Sequence, residues 1–156
     1  MIPKINLSGQ WAIQESEYNA FREHYLSALS SEKAFIDEES LPKDDKPYTV
    51  SGGVAFVKIS GVLVHSGAQY MRWWGMEATG SDEIVAAFSI AAQDDSVLSV
   101  HVHAATPGGQ VAGIVEAAEA IFKCAKKKPV HAFCENMVAS GGSFLISQCS
   151  QISMNK

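Results

Sequence analysis

One serine in this chain stands where a nucleophile could be presented. The stretch Met137-Val138-Ala139-Ser140-Gly141-Gly142-Ser143-Phe144-Leu145-Ile146 follows a short apolar run, Pro129 to Cys134, and opens a second apolar segment. A serine between a strand and a helix can aim its hydroxyl out of the fold. Glycines directly after it suit a tight turn, close approach of a substrate and a free N–H beside the serine oxygen. An earlier turn, Thr106-Pro107-Gly108-Gly109, also separates an apolar run from a helical pattern. Two such turns could face each other across one site, one supplying the nucleophile and both supplying oxyanion-binding N–H groups. The plainer alternatives are a small residue at 140 chosen for close helix packing and a simple tight turn at 108–109.

The other chemistry-bearing residues make weaker cases. His101 and His103 share one face of a period-two run, Val97 to His103. Two ligands from one strand do not complete a metal site, so solvated histidines are the better reading and no metal is expected. Lys126-Lys127-Lys128 is the only basic cluster and reads as a solvated helix end, well placed at the negative pole of the helix dipole. Cys124, Cys134 and Cys149 are odd in number and lack C-x-x-C spacing, so they read as buried or free thiols in a reducing compartment.

The elements that must position the two turns follow from periodicity. Tyr18, Phe21, Tyr25, Leu26 and Leu29 recur at helical spacing, and residues 1–29, including Gln10 to Ile13, read as an N-terminal amphipathic helix used for packing or docking. Residues 30–52 shift to Glu, Asp, Lys, Ser and Pro and read as a polar linker. The core domain runs from 53 to 156. Val54 to Ile59 and Val62 to His65 are β-rich runs broken at Ser60-Gly61, with Lys58 pointing to solvent. Ser66 to Gly80 is an aromatic-rich loop, either a contact surface around Trp73 and Trp74 or a segment folded back on the core. Ser81 is a helix N-cap candidate with Asp82 and Glu83 in the first turn. Val111, Ile114, Val115, Ala118, Ile121 and Phe122 predict one apolar helical stripe whose N-terminus lies at the glycine turn. The order strand, glycine turn, helix, strand, serine turn, helix is that of an α/β protein with its site at the carboxyl ends of parallel strands.

Composition narrows the functional classes. With 156 residues, 47% of them hydrophobic, the chain can bury one domain's core. A net charge of −5 argues against a nucleic-acid partner, which needs clustered Lys and Arg. Neither nucleotide-binding glycine motif is present, so no cofactor is expected. No apolar run reaches the length of a membrane span and no leader is evident, so the chain is expected to be cytoplasmic.

The series Gly53-Val54-Ala55-Phe56-Val57-Lys58-Ile59-Ser60-Gly61-Val62-Leu63, Asp95-Ser96-Val97, Thr106-Pro107-Gly108-Gly109-Gln110-Val111-Ala112-Gly113, Lys128-Pro129-Val130 and Ala139-Ser140-Gly141-Gly142 resembles the signal peptide peptidase A family of serine proteases. More narrowly, T-P-G-G-x-V-A-G and the tryptophan-containing preface resemble its phage and prophage branch, the capsid-assembly or head-maturation proteases. The resemblance covers roughly residues 53 to 154. It implies a ClpP/crotonase-like fold of ββα units wound into a superhelix, incomplete here. It also implies Ser140 as nucleophile of a Ser-Lys dyad, with N–H groups of Gly108 or Gly109 and of Gly141 as the oxyanion hole. A peptide substrate with small or apolar residues at the cleaved position, scaffold or capsid protein as partner, a homo-oligomeric enzyme, and a host-cell or prohead location are implied in the same way. The family's general-base lysine falls downstream of the end of this sequence, so the chain alone is expected to be inactive. Lys156 is a poor substitute, and Lys123 to Lys128 lie at the far end of their helix from the glycine turn. The alternatives are a ClpP-like or enoyl-CoA hydratase-like enzyme on the same fold, or a non-catalytic phage scaffold or assembly component.

Overall fold

The computed structural model describes residues 5–31 and 47–155. The middle of the expected linker, residues 32–46, and Lys156 lie outside the described residues. Alternation of apolar and polar side chains builds a five-stranded sheet in the order β2-β3-β6-β8-β9. Its strands are β2 (Thr49–Ser51), β3 (Val54–Ser60), β6 (Ser99–Thr106), β8 (Val130–Val138) and β9 (Gln151–Met154). All neighbours are parallel except β2, which runs antiparallel to β3. One face carries Val57, Ile59, Val100, Val102, Ala104, Val130 and Ala132, all buried. Helices α3 (Ser81–Ala91), α4 (Ile114–Ala125) and α5 (Gly141–Ile146) supply residues to the same core, among them Ile84, Phe88, Ile114, Ile121 and Leu145. Each of these large side chains contributes about 1.5–3 kcal/mol by leaving water. The opposite face carries Phe56, Lys58, His101, His103, His131 and Phe133, and none of these is fully buried. That one-sided covering explains why the strands alternate instead of reading as continuous apolar runs.

A second sheet, β1-β7-β4-β5, is built largely where the chain runs on from the first. Strand β3 passes through Gly61 into β4 (Val62–Val64), and β6 passes through Pro107 into β7 (Gly108–Gln110). β5 (Ala78–Gly80) lies parallel to β4, and β1 (Trp11–Ile13) pairs antiparallel with β7. A Cβ at Gly61 would run into the Glu77 carbonyl, so only glycine fits that crossing. The crossings line up side by side: Gly61 N–H donates to Ala105 O at 3.0 Å, and Ala139 N–H donates to Thr106 O at 2.9 Å. The end of β8 therefore lies beside the β6–β7 crossing.

Several sequence expectations change. Trp11 to Ile13 form a strand rather than helix, and α1 runs over Glu15–Leu29, burying Phe21, Tyr25 and Ala28. The described end of the expected linker is strand β2, preceded by buried Tyr48, whose hydroxyl donates to Asp94 at 2.9 Å. The aromatic loop contains helix α2 (Ala68–Trp73). Tyr70, Met71, Trp74 and Met76 are core with Phe21 and Tyr25, while Trp73 is about half exposed. Ser81 is the first helical residue instead of the cap. The Glu83 carboxylate accepts from Gly80 N–H at 3.1 Å in that role. Strand β6 starts only at Ser99, leaving Leu98 exposed. In α4 the buried line is Ile114, Ala117, Ala118, Ile121 and Cys124, so Val111, Val115 and Phe122 of the expected stripe face outward.

Candidate functional site

Ser140 sits on the turn from β8 into α5, exposed, with φ 53° and ψ −122°. A serine held there is under backbone strain, costing about 1–3 kcal/mol, and persists only where its surroundings over-determine it. Those surroundings are visible. Gly142 N–H donates to Ala139 O at 2.9 Å and Phe144 N–H to Ser140 O at 3.1 Å, which closes the turn. The Ser143 hydroxyl donates to Val138 O at 2.8 Å. Gly142 presses on the Thr106 methyl so closely that a Cβ would overlap it. The strand-turn-helix with a strained serine at its apex is the arrangement that exposes a nucleophile.

The two glycine turns do meet. A Cβ placed on Gly108 would lie 2.9 Å from the Ser140 Cβ. Gly108 has φ 99°, a conformation that glycine alone adopts without strain. Its N–H, however, donates inward to the Thr106 hydroxyl at 3.1 Å, and that hydroxyl donates to Gly61 O at 2.6 Å. Thr106 thus fastens the turn and occupies the Gly108 donor. Gly109 lies opposite Ala12 in the β1–β7 ladder. Val111 N–H donates to Gln10 O at 3.0 Å, so the two-residue alternation of an antiparallel pair makes Ala12 and Gly109 the next hydrogen-bonded pair. Gly141 N–H has no hydrogen-bond partner among the described residues.

The helix expected to start at the glycine turn starts at Ile114, after Gly113, because β7 intervenes. The positive end of its dipole is therefore set back from Gly108 and Gly109. Among the described residues, no side chain hydrogen-bonds the Ser140 hydroxyl and no lysine is paired with it. Lys128 is not solvated as expected: its ammonium donates to Ala91 O at 2.8 Å and Asp94 O at 2.7 Å, capping the C-terminus of α3. Lys58 points to solvent and pairs with Glu77 at 2.8 Å. His101 and His103 lie on the uncovered sheet face. His103 pairs with Glu135 at 3.1 Å, and His101 lies between Phe56 and His131 with both neighbouring rings tilted against it. Burial, and then the neighbouring His131 and His103, hold the His101 pKa below the usual histidine value. No group of three or more potential metal ligands occurs among the described residues. The three cysteines are free, and burial pushes the Cys149 thiol up to about 12. No helix among the described residues is long and apolar enough to cross a membrane.

Sequence reasoning missed the Thr106 fastening and the β1–β7 pairing. The first was hidden because a threonine beside a Pro-Gly turn has no distinctive pattern. The second had a signal in Trp11-Ala12-Ile13, a short β-prone run just before the acidic first turn of α1.

Comparisons with known proteins add to this geometry. The chain is 36% identical over 104 residues to the head-tail preconnector protein GP5 of Enterobacteria phage P21, covering 67% of this chain and 20% of that protein. It is 33% identical over 118 residues to the capsid assembly protease C of Escherichia phage lambda, covering 76% of this chain and 26% of that protein. It thus spans about a fifth to a quarter of the length of these curated relatives. Among solved structures, a crystal structure of an enoyl-CoA hydratase/isomerase family member superposes with a TM-score of 0.49 at 18% identity, over 69% of this chain and 46% of that one. No protein-family model matches the chain.

Proposed function

We propose that this chain is part of a serine endopeptidase of the signal peptide peptidase A type, in the phage and prophage capsid-assembly branch, with Ser140 as nucleophile. The observation that carries this reading is the strained, exposed Ser140 at a strand-to-helix turn, packed against Gly108. The similarity to a phage capsid assembly protease supports the same class. The reading takes the fold as a ClpP/crotonase-like superhelix, with residues 53–156 as the protease portion and strands β1 and β2 of the preceding segments joined to its sheets. Scaffold or capsid proteins are its substrates and partners, in the prohead or host cytoplasm, and the intact enzyme is a homo-oligomer.

In this mechanism a lysine from elsewhere in the intact protein, kept neutral by burial, takes the proton of the Ser140 hydroxyl as its oxygen attacks a peptide carbonyl. Backbone N–H groups of Gly109 and Gly141 receive the oxyanion. Losing one such donor costs about 2.7–4 kcal/mol of barrier in well-studied acyl-transfer sites. The lysine then protonates the leaving amine, and water releases the acyl group from Ser140. Gly108 N–H is bonded to the Thr106 hydroxyl within the fold and Gly109 N–H faces the Ala12 carbonyl of β1, so of the two only the Gly109 donor would be freed by displacement of β1.

The test is proteolysis of co-expressed scaffold and capsid protein by the complete reading frame with and without Ser140→Ala. Loss of cleavage with assembly retained supports the reading. Cleavage unchanged by Ser140→Ala would overturn it, and assembly without any cleavage would favour a scaffold role.

A further inference from the structure

Strand β1 raises a question that catalysis by Ser140 does not answer. Proteases that bind extended peptides commonly do so by adding the peptide to a free strand edge, main chain to main chain. Beside Ser140 the strand suited to this is β7, and its outer edge is already taken by residues 11–13 of the same chain. The fit is close. The Ala12 carbonyl oxygen and the Ser140 Cβ both crowd the single point where a Gly108 side chain would begin. By the ladder alternation that carbonyl also accepts from Gly109 N–H, the donor assigned above to the oxyanion.

We infer that Gln10–Ile13 is a built-in, substrate-like strand that fills the peptide groove along β7 and holds the Ala12 carbonyl at the Ser140 turn. This deepens the protease reading and rests on it for the meaning of the groove. The segment is tethered so that it returns to the groove. The Gln110 side chain, buried, accepts from His65 N–H at 2.7 Å and donates to Asn6 O at 3.3 Å, and Trp11 packs on Tyr18 and Phe21 at centroid distances of 5.1 and 5.5 Å. Ala12 and Ile13 are only half-buried, and Gln10 is exposed. A peptide from another protein reaches Ser140 only after this strand lifts, so cleavage is gated by a competitor within the chain.

The experiment measures binding of a fluorescent peptide with the sequence of residues 10–14 to the full chain by anisotropy. Ala12→Pro removes the N–H that pairs with Gly109, and Gln10→Pro weakens the same pairing from its exposed end. The expected result is at least tenfold tighter peptide binding for Ala12→Pro than for the unaltered chain, a smaller gain for Gln10→Pro, and loss of the gain when the peptide is N-methylated at its alanine. Folded variants that bind no tighter, or an N-methylated peptide that binds as well, would overturn the inference. Hydrogen exchange on the unaltered chain needs no variant. Gly109 and Val111 amides should exchange at least a hundredfold faster than those of β6, because β1 opens locally. Equal rates would make β1 a permanent part of the sheet and end the proposal. Neither readout involves bond cleavage, so this inference and the proteolysis test fail independently.

Discussion

The two glycine turns look alike in sequence and are constrained in different ways. In Pro107-Gly108-Gly109 the requirement is space: a Cβ at Gly109 would collide with the Leu63 backbone, because β7 continues as a strand squeezed between β4 and β1. In Ser140-Gly141-Gly142 the strain falls on the serine itself, with φ 53°, while the next glycine has ordinary room, its nearest neighbour at 3.4 Å being Ile114 Cδ1. The first turn is a rigid platform and the second is a loaded one. Stability can therefore be gained at Ser140 and only lost at Gly109.

That contrast can be broken most forcefully at Gly109. Gly109→Ala forces a methyl into the Leu63 carbonyl and should cost about 3 kcal/mol or more, read as a fall in urea midpoint or loss of a cooperative transition. Survival with an unchanged midpoint would show that the platform is not rigid. Gly142→Ala overlaps the Thr106 methyl, which can turn away only by breaking the two hydrogen bonds of the Thr106 hydroxyl, so about 1–3 kcal/mol is expected. Thr106→Ser removes that methyl and keeps the hydroxyl that fastens Gly108, so the double variant should recover part of the loss. A strictly additive double variant would assign the crowding elsewhere.

The serine turn supplies the opposite sign. Ser140→Gly relieves the positive φ and should raise stability by about 1 kcal/mol, whereas Ser140→Ala keeps the strain and should be close to neutral. If both variants melt together, the backbone at 140 is not strained and the main support for a presented nucleophile is gone. The smallest effect belongs to Gly141. Gly141→Ala, with room for a methyl and no positive φ, should change stability by less than about 1 kcal/mol, with a gain the more natural direction. Thermal melts of these three variants side by side would place strain on one residue or spread it over the turn.

Much of this arrangement is legible in the sequence. The alternation in β3 and β6, the helical spacing within α1 and α3 and the break at Ser60-Gly61 follow from periodicity, because burial of one face is a local repeat along the chain, whereas the starts of α1, α3 and β6 differ from the expected ones. Both glycine turns were legible as turns for the same reason. The Lys128 cap and the outward face of α4 were not, since each depends on a partner distant in sequence.

The sequence by itself thus determined the kinds of element, their order and the two turns with a serine in one of them, all set by local sterics and by apolar spacing. Only the tertiary structure decided that Gly108 abuts Ser140, that Thr106 takes the Gly108 N–H, and that Trp11 to Ile13 lie along β7. These are pairings between residues up to about a hundred positions apart, chosen by lateral strand register and by which backbone can come closest, and neither quantity is written in any single stretch of the chain.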